Sequence, residues 1–381
     1  MKNLFNLLVA SAIIAFPLLA QDADITSSKG VGGKNITAFD RVGERKIGGY
    51  FDNEFFAMDS AQTFKAHRLI LQASSQIHEK IFFNTEIEFE YGAVMEDTAD
   101  GSGGDGEIKI EQAWVDFEYA EDHYFRSGIV IVPFGILNIL HDSDVRDTTN
   151  RPIHTKYIVP TTWFDSGAGG HGSFDISDWE FTYEGYLING LNENISGTSG
   201  LRDARPSLKE DNNKGSAIAG RLGVSPMLGL DLGLSLYTGT YSDTDDESVT
   251  LKGLDFMWKN GPTEVLGEYA EASIDAVDAS VPGKMNGYYV EGRYHFMPAF
   301  LKNAFFAQGF ENPTFTAFAR YGEVDLDTSV TDVYDRSQFT IGLNYRPTST
   351  VAFKAEYEMN TEEVDDNTVG DAVILSVAVG F

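Results

Sequence analysis

Eight side chains able to carry charge or move a proton crowd into residues 141–156: His141, Asp142, Asp144, Arg146, Asp147, Arg151, His154 and Lys156. Hydrolysis, metal chemistry or ionic contact with polar solutes could use such a set. For hydrolysis, Ser143 beside His141 and Asp142 is the one cluster with the right types, yet adjacency in sequence does not give triad geometry. The chain also carries no G-x-S-x-G elbow, no G-x-x-x-x-G-K-[ST] loop and no H-E-x-x-H pair. No catalytic residue, metal site or cofactor is therefore expected. Ionic contact with small hydrophilic solutes is what remains.

The elements around this cluster are strands. Ile81, Phe83, Thr85, Ile87, Phe89 and Tyr91 alternate with Phe82, Asn84, Glu86, Glu88 and Glu90, one face apolar and one acidic. The same two-faced pattern runs through Trp179–Leu187, Gln338–Arg346 and Val351–Asn360. Counting such runs predicts about sixteen strands of roughly 9–12 residues, the length a tilted strand needs to cross a bilayer. Short turns (IHEK, AEDH, DIS, PMLG, KNGP, RPTS) alternate with long connections, with Phe296–Pro313 as an exception. The cluster sits in the longest of these, Gly135–Gly167, the third on its end of the count.

Composition narrows the class. Lys2 before the apolar run Leu7–Leu19, with Ala20 ahead of Gln21, predicts an export signal over residues 1–20. Removing Lys2 leaves 27 basic against 58 acidic residues, a charge of −31, which excludes a nucleic-acid partner. Aromatic residues make up 13% of the chain and Gly numbers 38, so it folds rather than staying an acidic coil. Cysteine is absent. Residues 21–44 read as a flexible polar arm and 45–381 as a single barrel. Outer loops such as YSDTDDES, GEVDLDTSVTDVYD and NTEEVDDN are acidic enough to bridge, through divalent ions, to lipopolysaccharide phosphates, although solvated loop tips are the simpler reading. DTADGSGGDGE does not fit the EF-hand spacing.

Alternation also places Arg68, Arg126, Arg221, Arg293, Arg320 and Arg346 on inward faces, where they form either a basic track for anions or pairs with lumenal Glu. The ending ILSVAVGF puts Val373, Leu375, Val377, Val379 and Phe381 on one face. It resembles the C-terminal signal read by the barrel-assembly machinery, with Phe381 as the terminal aromatic.

EQAWVDFEY, RSGIVIVPFGILN and NRPIHTKYIVPTTWFDSGAGGHG, between Glu111 and Gly172, resemble the phosphate- and pyrophosphate-selective porin superfamily. That resemblance implies a sixteen-stranded, trimeric outer-membrane porin of a Gram-negative bacterium whose third external loop folds into the lumen and constricts it. It also implies lumenal Arg and Lys that attract anions, whereas this loop holds Asp142, Asp144, Asp147 and Asp165 beside Arg146, Arg151 and Lys156. The expectation is thus an all-β transmembrane antiparallel barrel for passive diffusion of small solutes or ions. The alternatives are a blocked-lumen binding or structural barrel and a secreted β-rich binding protein.

Overall fold

A computed structural model describes residues 45–58, 61–93, 106–244, 246–331, 333–362 and 370–381. The signal segment, the polar arm and most of MEDTADGSGGDGE lie outside these residues.

Sixteen strands are found among the described residues. They are β1 (Arg45–Met58), β2 (Gln62–His78), β3 (Ile81–Glu90), β4 (Glu107–Ala120), β5 (His123–Ile131), β6 (Phe164–Ile176), β7 (Trp179–Ile188) and β8 (Ala217–Met227), followed by β9 (Leu230–Thr240), β10 (Ser248–Asn260), β11 (Thr263–Ile274), β12 (Lys284–Phe296), β13 (Thr314–Asp325), β14 (Asp335–Thr348), β15 (Val351–Glu362) and β16 (Ala372–Gly380). Each pairs antiparallel with its sequence neighbours, and β1 pairs with β16 to close the barrel. At that seam Gly49 and Phe381 exchange backbone hydrogen bonds of 3.1 and 2.9 Å. No backbone edge is left open, which is the condition for a sheet to sit in lipid.

Burial is inverted relative to a water-soluble protein. Leu234, Leu236, Leu254, Ile341, Leu343 and Leu375 are exposed on the outer wall, whereas Glu86, Glu88, Asp116, Glu268, Glu291 and Arg320 are buried. Aromatic residues gather toward both rims of that wall. Phe296, Phe315, Tyr345 and Phe353 make successive ring contacts of 5.9, 4.8 and 6.5 Å at one end, and Tyr288 meets Tyr321 at 6.3 Å nearer the other. Phe315 and Tyr321 are six residues apart on β13, about 20 Å along the strand at ~3.3 Å per residue, and between them the outward face is apolar, as in a membrane barrel.

At one end most connections are two residues, with 297–313 the exception; at the other they reach 32 residues, in 132–163. The β1–β2 link there is short, spanning only 59–61.

The strand boundaries follow the alternation closely, with two differences: β5 ends at Ile131, ahead of the expected loop start at Gly135, and β6 starts early. β6 begins at Phe164, whereas Gly167 to Gly170 reads in sequence as the point where the wall restarts. The glycines do not end the strand; they let β7 side chains lie across it. A Cβ on Gly169 would sit 1.9 Å from the Gly185 carbonyl and 2.7 Å from the Tyr186 ring.

Leu234 lies mid-strand on the outer wall, 54% exposed. Leu234→Arg is expected to destabilise the barrel in lipid by about 2–4 kcal/mol, measured by denaturant unfolding in bilayers. The same change on a water-facing surface would stay within about 0.5 kcal/mol, and that result would refute the orientation.

Candidate functional site

Residues 132–163 join β5 to β6 and contact inward-facing side chains from much of the wall. Gly135 starts the entry: its φ of 68° suits glycine, and a Cβ there would meet the Glu268 carboxylate at 2.3 Å. The Gly135 N–H donates to Ser235 Oγ (3.0 Å) and the Leu137 N–H to Glu268 Oε1 (2.6 Å). Between them begins the short helix α1 (Ile136–Ile139). Asn138 then clamps the two ends of the segment. Its Nδ2 donates to the carbonyls of Val132 (2.8 Å) and Trp163 (2.9 Å), and its Oδ1 accepts from Trp163 N–H (2.8 Å).

One half of the segment is held by apolar packing. Phe134, Ile158, Val159 and Trp163 join Tyr186, Ile188, Tyr237 and Leu251 of the wall in one buried cluster, which also takes in Leu191, Ile195 and Leu201 from the β7–β8 connection. Burying each such side chain contributes about 1.5–3 kcal/mol. Within this half, α2 (His154–Tyr157) carries His154, which is fully buried and 5.9 Å from the Tyr289 ring. Burial alone pushes the His154 imidazole down to about 3, so it stays neutral at physiological pH.

The other half is held by wall cations. Arg346 donates to the carbonyls of Asp144 (2.6 Å), Val145 (3.0 Å) and Arg146 (3.1 Å), and Lys354 to those of Ser143 (2.6 Å) and Thr148 (3.2 Å). Arg320 reaches Thr148 Oγ1 (2.8 Å) and the Asn150 carbonyl (3.0 Å). Asp147 is the acidic counterpart: Arg346 lies at 3.3 Å, Arg293 at 3.6 Å, and Asn344 donates to its Oδ1 at 3.0 Å. Burial alone would raise the Asp147 carboxyl, but Arg293 and Arg346 hold it well below the usual range. Asp144 has the opposite balance, because burial and then the nearby Asp142 push it up to about 7.

The six inward arginines all face carboxylates. Arg68 meets Glu88 (3.0 Å) and Glu90 (3.2 Å), and Arg126 makes a two-pronged contact with Asp116 at 2.7 Å on each arm. Arg221 does the same with Asp255, and Arg293 lies on Glu264 (2.7 Å) and Glu291 (2.5 Å). Arg320 is 3.6 Å from Glu291. Lumenal pairing therefore describes them better than a free basic track, and three partners are Asp rather than Glu: Asp116 on the adjacent β4, Asp255 two strands away on β10 and Asp147 in the loop.

Bounded by β1–β4 and β14–β16, and touching the apolar cluster at Ile153 and Tyr157, lies a cavity of about 640 Å³. Of the eight clustered loop residues, Arg146, Arg151 and Lys156 line it; His141, Asp142, Asp144, Asp147 and His154 pack into the loop and wall instead. Arg146 is spent on its own loop, donating to the carbonyls of His141 (2.9 Å) and Thr149 (2.7 Å). The strands and the β7–β8 connection add Lys65, Arg68, Lys109, Arg202, Arg205 and Arg336, so nine Lys and Arg face three Glu (Glu90, Glu107, Glu358), a balance of +6. Arg202, Arg205 and Arg336 were not singled out by pattern. Arg202 and Arg205 lie in a connection with no periodicity, and the single available signal was their position beyond an unusually long gap, 189–216.

A closed sixteen-strand barrel with a polar, loop-crossed interior and an apolar exterior defines an outer-membrane channel for passive diffusion. The chain belongs to the family described as phosphate-selective porin O and P, whose profile matches residues 46–252. It is 26% identical over 360 residues to an uncharacterized protein of Aquifex aeolicus (strain VF5), covering 86% of this chain and 78% of that one. OmpF of Salmonella typhi, solved with daunomycin, shares the fold at a TM-score of 0.58 and 13% identity, over 90% of this chain and 98% of that chain. An anion-selective porin from Comamonas acidovorans shares it at 0.53 and 13%, over 89% and 99%. The trimer form of OmpT from Vibrio cholerae shares it at 0.55 and 10%, over 89% and 99%. The protein is a porin of the Gram-negative outer membrane.

Two outcomes follow from the loop anchors. Asp147→Ala removes the loop carboxylate that Arg293 and Arg346 share; both keep other acceptors, so the cost stays below the ~3–5 kcal/mol of a buried charge left without any partner. The expected result is a folded barrel whose single-channel current fluctuates more than that of the wild type; an unchanged current trace would show that this tether does not hold the loop. Asp144, raised in the fold above its unfolded value near ~3.9, loses stability as pH rises from there to about 7 and is charged only above it. Anion preference should accordingly be greater at pH 6 than at pH 8, and Asp144→Asn should reduce the difference, the remainder falling to His67 in the cavity lining.

Proposed function

We propose that this porin passes small hydrophilic anions, phosphate-like oxyanions among them, in preference to cations. Residues 132–163 act as the constriction and the basic cavity as its antechamber. The observation carrying this reading is the +6 balance of the cavity lining in a chain whose total formal charge is −30. The Debye length is ~8 Å at physiological salt, so a permeating ion senses the lining rather than the distant acidic loops. Guanidinium groups suit the oxygens of phosphate and carboxylate.

The same reading takes the protein to be a homotrimer, in keeping with the trimer form of the Vibrio OmpT barrel. It does no covalent chemistry: Ser143, His141 and Asp142 are engaged in holding the loop. Outer-membrane lipid, lipopolysaccharide and the barrel-assembly machinery are its expected partners, the last through Phe381. A blocked lumen is the second reading, and the apolar cluster between loop and wall favours it, since that cluster fills part of the interior.

Planar-bilayer recording of the refolded protein separates the two. The expected result is stable open conductance with a reversal potential favouring chloride under a KCl gradient, and reduction of that current by millimolar phosphate. Arg151→Glu with Arg205→Glu should move the reversal potential toward cations. Absent conductance would establish the blocked barrel, and an unmoved potential would sink the anion filter.

A further inference from the structure

Where the loop leaves α1, four potential metal ligands from three parts of the chain converge inside the barrel. Glu86 comes from β3, Glu111 from β4, and His141 and Asp142 from the loop. One ligand atom each of Glu86, Glu111 and His141 lies within 4.8 Å of the other two. His141 Nε2 is 3.2 Å from Glu111 Oε2 and 3.6 Å from Asp142 Oδ1. All four residues are at most 4% exposed.

The hydrogen bonds around the group leave this centre under-supplied with positive charge. His141 Nδ1 lies 2.9 Å from the Asn138 carbonyl, which can only accept, so the Nδ1 proton points there and Nε2 faces the carboxylates. A histidine whose far nitrogen donates to a backbone carbonyl is the arrangement that orients imidazole toward a metal. Gln112 donates to Glu86 Oε2 at 2.6 Å, which leaves Glu86 Oε1 buried with no hydrogen-bond partner. Asp142 Oδ1 is likewise buried and without one. The two arginines that act on Glu111 are engaged elsewhere: Arg68 by Glu88 and Glu90, and Arg151 by Thr162 Oγ1 at 3.0 Å. A buried carboxylate oxygen without a partner carries a large desolvation cost, and several facing one imidazole nitrogen repel one another unless a cation lies between them.

We propose that Glu86, Glu111, Asp142 and His141 Nε2 bind one divalent ion of intermediate softness, the class of Zn²⁺, and thereby lock the entry of the loop to β3 and β4. Three oxygens and one imidazole nitrogen suit such an ion, whereas Ca²⁺ would call for six to eight oxygens. The sequence conceals the site because its ligands are spread from residue 86 to residue 142 on separate elements.

The test uses the full barrel, stripped with chelator and held in detergent at pH 7.5, titrated calorimetrically with Zn²⁺. The expected result is one Zn²⁺ per chain, with affinity reduced at least about tenfold in Glu86→Gln and in His141→Gln and unchanged in His295→Gln. Heat-modifiable gel mobility reports folding; if His141→Gln does not fold, Glu86→Gln decides. Co²⁺ in the wild type should give the intense visible bands of a four-coordinate site, and Glu86→Gln should lose them. Absence of saturable Zn²⁺ binding, equal affinity in Glu86→Gln, or binding of Ca²⁺ in place of Zn²⁺ would overturn the proposal. None of these readouts depends on conductance, so failure of the metal site and failure of the anion-channel reading are separately visible.

Discussion

In hydrocarbon a peptide N–H has nothing to bond to except another peptide, and this constraint shapes the whole chain. It requires the β1–β16 pairing, which leaves the sheet no edge. Closure in turn commits every strand to one wet and one oily face, so the apolar side chains go outward and the interior inherits the charges. A sixteen-strand wall is too wide for its own side chains to fill. The interior therefore needs a further element, and residues 132–163 supply it.

That segment is held in two different ways. Toward β7–β10 it packs as a small hydrophobic core, Phe134 and Trp163 against Tyr237. Toward β13–β15 it is hung by its own carbonyls from Arg320, Arg346 and Lys354. Most inward bases are consumed in this work or in pairs with acids. Some bases that line the cavity, Arg68 and Arg146 among them, are engaged in this way too, yet the lining as a whole is basic although the molecule is acidic. Local surplus, not total charge, sets the field at such a place.

How much of this could be read from residues alone varies with the kind of signal. Alternation in 81–91 or 338–346 reports the two faces directly, because period two survives any tertiary context. Its sixteen runs reappear as β1–β16. The glycine run 167–170 misled about where β6 starts, since glycine marks a turn in a lone sequence but here makes room for Tyr186. The crowded loop was visible as a concentration of charge. Which of its charges face open space was not, because Asp147 differs from Arg151 only through partners such as Arg293 and Arg346 from remote strands. Arg202 and Arg205 gave no periodic signal, and the Glu86–Glu111–His141 group exists only once β3, β4 and the loop are brought together.

The seam where Gly49 meets Phe381 bears on the order in which the molecule can form. Every other strand pair links sequence neighbours and can zip locally, hairpin by hairpin. The closing pair joins residues more than three hundred positions apart, the largest loop-closure entropy in the fold. Until it forms, β1 and β16 are both unpaired edges, open to a wrong partner or to another copy of the chain. This pair is the one the chain can least form locally, and as long as it stays open both edges are exposed to error.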